Sequence, residues 1–323
     1  MFSVIKNLKN NFKLLSRLNC STEVSPPVSV LSVRMFIKKL FYFSGVLWIN
    51  NNAVPGSADA INYFRKLGKK IFYVTNNSTK IRSDFAVKAQ QMGFIAEPEE
   101  ILSTAYLVAH YLKDIGFTKK VYLIGSNGIG DELKAVGIRH IGIGVNFKSM
   151  TSSDLDPEVG AVVVGFDEHV SYPKFMKAAS YLAKEECLFI ATNTDERFPK
   201  SSSVFIPGTG TLVRAVETCS ERKALVLGKP NDYVRKYLES FGLDPARTLM
   251  IGDRCNTDIE FGVRCGFQTL LVLTGVTSVK DLERMRTERK HPLPDVVLPK
   301  LESQNRFMIE RLLCLVFPRS RET

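Results

Sequence analysis

The chain has 323 residues, a formal net charge of +11, 45% hydrophobic residues and 24% charged residues. This composition is typical of a soluble globular protein of one large or two ordinary domains, and it excludes a disordered chain. No apolar run approaches the ~18 residues that a membrane-spanning helix needs, so we expect no membrane partner. The sequence has no basic stripe with interleaved aromatic residues, so we expect no nucleic-acid partner. The positive charge favours small anionic ligands.

Residues 1–22 are basic and include no acidic residue. Lys6, Lys9, Lys13 and Arg17 fall among apolar residues at helical spacing, and a Ser- and Pro-containing stretch follows. This pattern resembles a mitochondrial presequence, and a disordered basic arm is the alternative. We therefore expect residues 1–34 to be an arm or a presequence, and the protein to be cytoplasmic or mitochondrial.

The six cysteines include no CxxC pair, and the four histidines are scattered along the chain. This spacing argues against a zinc site. We expect free thiols in a reduced compartment.

Short apolar runs rich in β-branched residues alternate with stretches of helical spacing. The runs predict strands at 70–76, 120–125, 160–166, 188–193, 224–229, 248–253 and 269–275. Apolar spacing of three and four predicts helices over 58–68, 172–185 and 233–242. The alternation predicts βαβ units, and therefore an α/β fold with a parallel sheet covered on both faces. So many strands favour a core domain with a second, inserted domain.

Ligands of such folds bind where strands end and loops begin. Thr75 and Asn76 directly follow a predicted strand, where a hydroxyl and the N–H groups of a helix start can hold phosphate oxygens. A simple helix N-cap by Asn77 or Ser78 is the alternative.

Two later strand ends carry charged residues. Lys229 ends ALVLGK and offers a cation for a phosphoryl group, although a lone lysine is more often a solvated surface residue. Asp253 and Asp258 flank the turn after TLMIG, where one carboxylate can bind Mg²⁺ and the other can orient its neighbours.

The order VTNNS, GKP and GDRCNTD resembles the haloacid dehalogenase phosphatases. Within them, the chain is similar to the group that contains phosphoglycolate phosphatase, pyridoxal phosphate phosphatase (chronophin) and 4-nitrophenyl phosphatase. The stretches GVLW, GFDEHVSYPK, ATNTDERFP and PGTGTLVRAVE also match that group. The resemblance implies a Rossmann-like core at 35–117 and 206–301, an inserted α/β cap of the C2 type at 118–205, and a tail at 302–323.

The resemblance also implies a two-step phosphoryl transfer. A carboxylate attacks phosphorus to form an aspartyl-phosphate, and a second carboxylate two residues on protonates the leaving oxygen. Carried onto this chain, Thr75, Asn76 and Lys229 hold the phosphoryl oxygens, Asp253 binds Mg²⁺ and Asp258 orients its neighbours.

The cap carries the residues that resemble the family's substrate-facing edge. These are Asn193, Asp195 and, more loosely, His169. The implied partner is a small phosphorylated metabolite, and a homodimer is a further possibility that the resemblance leaves open.

The first motif departs from the family pattern. Where the family has aspartate, any residue, aspartate and then GVLW, this chain has Tyr42, Phe43 and Ser44. Tyr42 supplies no carboxylate nucleophile or metal ligand. Ser44 can offer its backbone carbonyl to a metal, but its hydroxyl is a poor general acid. We therefore expect weak Mg²⁺ binding and a protein that is inactive as a phosphatase.

Two explanations for the lost aspartates stay open. In the first, the chain is a pseudophosphatase that keeps its pocket to bind a phosphorylated ligand or a partner. In the second, it is an active phosphatase whose first 44 residues partly reflect a mis-spliced gene model. The resemblance stops abruptly between Ser44 and Gly45, and Phe41 to Ser44 can be encoded by a pyrimidine-rich run ending in AG, as an intron does.

Overall fold

The computed structural model describes residues 39–42, 46–49, 52–145, 155–197, 205–288 and 291–302. The predicted arm at 1–34, Ser44 and nearly all of the tail at 302–323 lie outside the described residues. No helix among the described residues is long and apolar enough to cross a membrane.

A six-stranded parallel sheet forms the first half of the fold. Its order is β13-β12-β11-β1-β4-β5, and every neighbouring pair in it is parallel. The strands are β1 (Lys39–Tyr42), β4 (Lys70–Thr75), β5 (Ile101–Ser103), β11 (Thr248–Gly252), β12 (Gln268–Val272) and β13 (Val296–Leu298). A two-stranded antiparallel hairpin, β2 (Trp48–Ile49) with β3 (Asn52–Ala53), lies outside this sheet.

The strand order reverses at β1. From β1 the chain fills one side of the sheet with β4 and β5, and later fills the other side with β11, β12 and β13. The crevice beyond the carboxyl ends of β1, β4 and β11 is therefore the switch point at which open α/β sheets bind their ligands.

A second parallel sheet has five strands in the order β10-β9-β8-β6-β7. These strands are β6 (Lys120–Ile124), β7 (His140–Ile141), β8 (Val159–Val164), β9 (Leu188–Ala191) and β10 (Leu225–Val226). The β8 strand is buried at every position, which explains its unbroken run of apolar residues.

Nine α-helices in the described residues connect and cover the two sheets. They are α1 (Ser57–Lys66), α2 (Arg82–Gln91), α3 (Thr104–Asp114), α4 (Asn127–Ala135), α5 (Tyr172–Leu182), α6 (Thr209–Ser220), α7 (Tyr233–Glu239), α8 (Glu260–Arg264) and α9 (Val279–Glu288). One turn of π-helix, Cys255–Ile259, precedes α8. Short 3₁₀ turns lie at Pro98–Glu100 and Pro245–Arg247.

One hydrophobic core joins the first sheet to one face of the second sheet. It runs from Leu249 and Ile71 in the first sheet through α3 and α4 to Val121 and Val163 in the second. A separate core covers the other face of the second sheet with residues of α5 and α6. Since apolar packing continues from one sheet to the other, α4 fixes the second sheet against the first.

The predicted strands and helices all have counterparts in the structure, and the α/β prediction is confirmed. The predicted boundary at residue 205 differs from the sheet pairing. Strand β10 lies beyond residue 205 but pairs with β9 in the second sheet, through the crossover helix α6. The second sheet therefore includes Leu225–Val226, which lie within the predicted core segment 206–301. The sequence pattern does not predict the strands β1, β2, β3, β5, β7 and β13.

Candidate active site

Strand β4 delivers Thr75 to the switch point, but no helix starts there. The helix α2 begins only at Arg82, so the prediction of a helix N-terminus at Asn76 is wrong. Asn77 forms a local turn instead, because its Oδ1 accepts both the N–H and the hydroxyl of Thr79 at 2.8 Å. The Thr75 hydroxyl oxygen accepts the N–H of Asn77 at 3.1 Å. A loop, not a helix start, therefore forms this wall of the site.

The side chain of Asn76 binds protein groups, in contrast to the predicted phosphate contact. Its Oδ1 accepts the backbone N–H of Lys229 at 3.0 Å, and its Nδ2 donates to the Lys229 carbonyl at 3.1 Å. The same Nδ2 donates to Asp195 Oδ2 at 2.8 Å. The carboxamide thus joins the end of β4 to the GKP segment and to the second sheet.

Lys229 and Asp258 form a buried ion pair. Lys229 Nζ donates to Asp258 Oδ1 at 2.7 Å, and only 3% of either side chain is exposed. The other Asp258 oxygen accepts the N–H groups of Asp253 and Arg254. Burial lowers the pKa of the Lys229 ammonium, and Asp258 opposes that shift. The alternative interpretation of Lys229, a solvated surface lysine, is wrong because the side chain is buried.

Asp253 follows β11 directly and is nearly buried. Its Oδ2 accepts the N–H of Val276 at 2.9 Å. Burial, followed by the nearby charge of Asp258, raises the pKa of Asp253 to about 7. A Cβ on Gly275 would lie 1.8 Å from Asp253 Oδ2, so only glycine allows the backbone to approach this carboxylate.

Within the described residues, the cavity offers a magnesium ion one carboxylate that has no basic partner. Three carboxylates line the cavity at the switch point: Asp195, Asp253 and Asp258. Asp195 pairs with Arg254 and Asp258 pairs with Lys229, which leaves Asp253 for a cation. The described residues include no group of three or more His, Cys, Asp or Glu side chains placed to hold a metal. Mg²⁺ is usually held by one or two carboxylates together with substrate phosphate, and Asp253 alone supplies the smaller number.

The backbone of Tyr42 ends the central strand β1 at this same edge. Tyr42 is in register with Tyr73 of β4, and Phe41 is in register with Met250 of β11. Thr75 and Asp253 emerge a few residues beyond those partners. Position 42 therefore lies at the same edge of the sheet as Thr75 and Asp253, with tyrosine where the resemblance implies an aspartate. Ser44 lies outside the described residues.

Asn193 and Asp195 reach the cavity from the second sheet, whereas His169 does not. Asn193 Nδ2 donates to Asp195 Oδ2 at 2.6 Å, and both residues line the cavity. His169 is half exposed and its ring lies 3.8 Å from Glu168. Phe166 of the same loop lines the cavity instead.

Two arginines that line the cavity were not predicted as site residues. Arg254 lies inside the GDRCNTD motif and donates to Asp195 Oδ1 at 3.0 Å and to Glu196 Oε2 at 2.8 Å. The Arg197 guanidinium lies 4.5 Å from the centre of the Phe205 ring, and it has no carboxylate partner among the described residues. The position of Arg254 directly after Asp253 was a signal that sequence reasoning could have used.

Together these groups enclose a cavity of about 170 Å³ at the switch point. Its walls carry Thr75 at the end of β4, Asn77 from the loop that follows, Asp253 after β11, Lys229 after β10 and Arg197 from the loop after β9. The arrangement offers hydroxyl, ammonium and guanidinium groups to an anion.

Two family models match the chain. The model described as haloacid dehalogenase-like hydrolase covers residues 40–139, and the one described as HAD-hydrolase-like covers residues 226–303. The glycerol-3-phosphate phosphatase of Rattus norvegicus is 41% identical over 259 residues, which cover 76% of this chain and 81% of that protein. The chain belongs to the haloacid dehalogenase-like hydrolases.

Further relatives in this family are also phosphatases. Chronophin of Homo sapiens is 39% identical over 261 residues, covering 79% of this chain and 86% of that protein. The p-nitrophenyl phosphatase of Archaeoglobus fulgidus has a solved structure with a TM-score of 0.73 and 29% identity, covering 85% of this chain and 99% of that one. The chain is therefore similar over most of its length to phosphatases of the haloacid dehalogenase family.

Proposed function

We propose that the chain binds small phosphate esters in the switch-point cavity and does not hydrolyse them efficiently. The observation that carries this proposal is the convergence of Thr75, Lys229 and Asp253 on one cavity, at or just beyond the ends of β4, β10 and β11. An ammonium and a hydroxyl fixed at one place bind phosphoryl oxygens through charge-assisted hydrogen bonds. Candidate ligands are phosphoglycolate, pyridoxal phosphate, aryl phosphates and glycerol 3-phosphate, the last from the relatives' name.

The expected inactivity rests on Tyr42 and Ser44. Loss of a general acid alone lowers a rate by about 10²–10⁴. Loss of the carboxylate nucleophile removes the covalent route altogether, since a tyrosine cannot form the aspartyl-phosphate. Tyr42 also withholds the carboxylate that would complete a Mg²⁺ site beside Asp253.

The experiment measures binding and turnover with the same preparation. Calorimetric titration with inorganic phosphate and with phosphoglycolate should show binding at millimolar concentration or below. Hydrolysis of 4-nitrophenyl phosphate with excess Mg²⁺ should stay at the background rate. No phosphate binding at millimolar levels refutes the binding proposal, and efficient hydrolysis refutes the proposed inactivity.

A second candidate is an active phosphatase whose natural residues at 42–44 differ from Tyr-Phe-Ser. It is supported by the abrupt departure at Ser44, because Thr75, Lys229, Asp253 and Asp258 belong to later matching motifs and line the cavity. Sequencing the transcript across the Ser44–Gly45 junction tests it. Aspartate codons at positions 42 and 44 would favour this candidate, and the present residues would refute it.

A further inference from the structure

We propose that Asp195 is a positioning residue: it fixes the second sheet's loop on the first sheet's edge and, through Asn76, holds the backbone of Lys229 in place. The loop is the segment 192–197 after β9. The consequence for ligand affinity rests on the proposed phosphate binding, whereas the contact itself does not.

The Asp195 carboxylate is already occupied by protein donors. Its Oδ2 accepts Asn76 Nδ2 at 2.8 Å and Asn193 Nδ2 at 2.6 Å, and its Oδ1 accepts Arg254 Nη1 at 3.0 Å. Asn76 and Arg254 belong to the first sheet's edge, and Asn193 belongs to the second sheet's loop. A carboxylate has about four acceptor positions, so three donors leave little of it for a substrate.

Asn76 passes this constraint on to Lys229. A carboxamide has two N–H donors and one carbonyl, and Asn76 uses both kinds of group on the Lys229 backbone and its second N–H on Asp195. The fit is close, because a Cβ on Gly228 would lie 2.8 Å from Asn76 Oδ1 and 2.4 Å from the Thr192 carbonyl. The backbone of Lys229 determines where its ammonium stands, so Asp195 affects the ammonium without touching it.

The loop that carries Asp195 is itself held rigidly. The Asp195 carbonyl accepts the N–H of Gly210 at 2.9 Å, and the Glu196 carbonyl accepts the N–H of Gly208 at 2.8 Å. A Cβ on Gly208 would lie 2.2 Å from the Asp195 carbonyl oxygen. Asp195 is therefore anchored to the start of α6 on one side and to Asn76 and Arg254 on the other.

The neighbouring Glu196 provides a matched control. It also pairs with Arg254, at 2.8 Å, but its side chain is 68% exposed and forms no hydrogen bond with Asn76 or Lys229. An exposed pair contributes little, so Glu196→Gln should behave like the wild-type protein. Comparing the two variants therefore distinguishes loss of the hydrogen bond to Asn76 from loss of a negative charge beside Arg254.

The test compares Asp195→Ala, Asp195→Asn and Glu196→Gln by hydrogen exchange without ligand and by calorimetric titration with inorganic phosphate. We expect Asp195→Ala to speed exchange of the Lys229 amide and to weaken phosphate binding by roughly tenfold, a normal coupling for residues in one network. Asp195→Asn, which conserves the shape of the side chain, should show the same changes to a smaller extent. It serves as the test variant if Asp195→Ala does not fold. Glu196→Gln should show neither change.

The outcomes distinguish this inference from the proposed function. Unchanged exchange of the Lys229 amide in a folded Asp195→Ala or Asp195→Asn protein overturns the positioning role. If phosphate binding is nevertheless weaker in that protein, Asp195 contacts the ligand directly. Undetectable phosphate binding by the wild-type protein refutes the proposed function alone. In that case the exchange comparison still decides the role of Asp195.

Discussion

Replacing Lys229 by methionine tests the phosphate site most sharply among single changes. The substitution removes the ammonium and leaves the Asp258 carboxylate buried without its counter-charge. Breaking such a pair costs about 3–5 kcal/mol of folding free energy, and we expect the lower end because Asp258 keeps two backbone donors. A charge-assisted hydrogen bond contributes about 1.5–3 kcal/mol, so phosphate affinity should fall by roughly 10- to 150-fold.

Calorimetric titration with phosphate and thermal unfolding measure the two effects of Lys229→Met separately. Lys174 offers the matched control, because it forms a buried pair with Asp167 at 2.5 Å and does not line the cavity. Lys174→Met should lower stability by a similar amount and leave phosphate affinity nearly unchanged. Adding Asp258→Asn to Lys229→Met should recover stability but not affinity. Equal losses of affinity in the Lys229 and Lys174 variants would refute the reasoning, since both losses would then come from general destabilisation.

Three further predictions concern the metal, the ligand and the N-terminus. Calorimetry without a phosphate ligand should show only weak Mg²⁺ binding, because Asp253 is the one cavity carboxylate without a basic partner among the described residues; tight binding would contradict this. Arg197→Gln should lower affinity for phosphoglycolate more than for inorganic phosphate, since the guanidinium faces the cavity without a carboxylate partner; equal losses would exclude a role for Arg197 in binding the second anionic group. Residues 1–22 fused to a fluorescent reporter should direct it to mitochondria if they are a presequence, and a diffuse reporter would leave the cytoplasmic alternative.

Long apolar strands and the motif residues at their ends could be predicted from the sequence. A buried parallel strand such as β8 is a continuous apolar run. Thr75 ends such a run in β4, and Asp253 directly follows another in β11. Strand β1 escaped prediction because it has four residues and none of them is β-branched. Its position is set by pairing with β4 and β11, which lie far along the chain. Pairing of this kind is absent from local sequence pattern.

The side-chain contacts of the site could not be predicted for the same reason. Asn76 was interpreted as a phosphate contact because it follows a strand, yet its partners are Lys229 and Asp195, far from it in sequence. His169 was interpreted from a local match, and the structure turns Phe166 toward the cavity instead. Motif order indicates which segments meet, whereas the division of donors and acceptors among them depends on the folded geometry.

The central claim is that the rest of the site is ready for phosphoryl transfer and that only the first motif is defective. The measurement is Mg²⁺-dependent hydrolysis of 4-nitrophenyl phosphate by Tyr42→Asp, Ser44→Asp and the double variant. Phosphoryl transfer depends mainly on positioning and charge, so the double variant should gain activity well above background. Tyr42→Asp alone should gain part of it, because it supplies both nucleophile and metal ligand, and Ser44→Asp alone should gain almost none. A folded double variant that stays at the background rate would contradict the claim, because the groups around Thr75, Lys229 and Asp253 would then be unable to support catalysis.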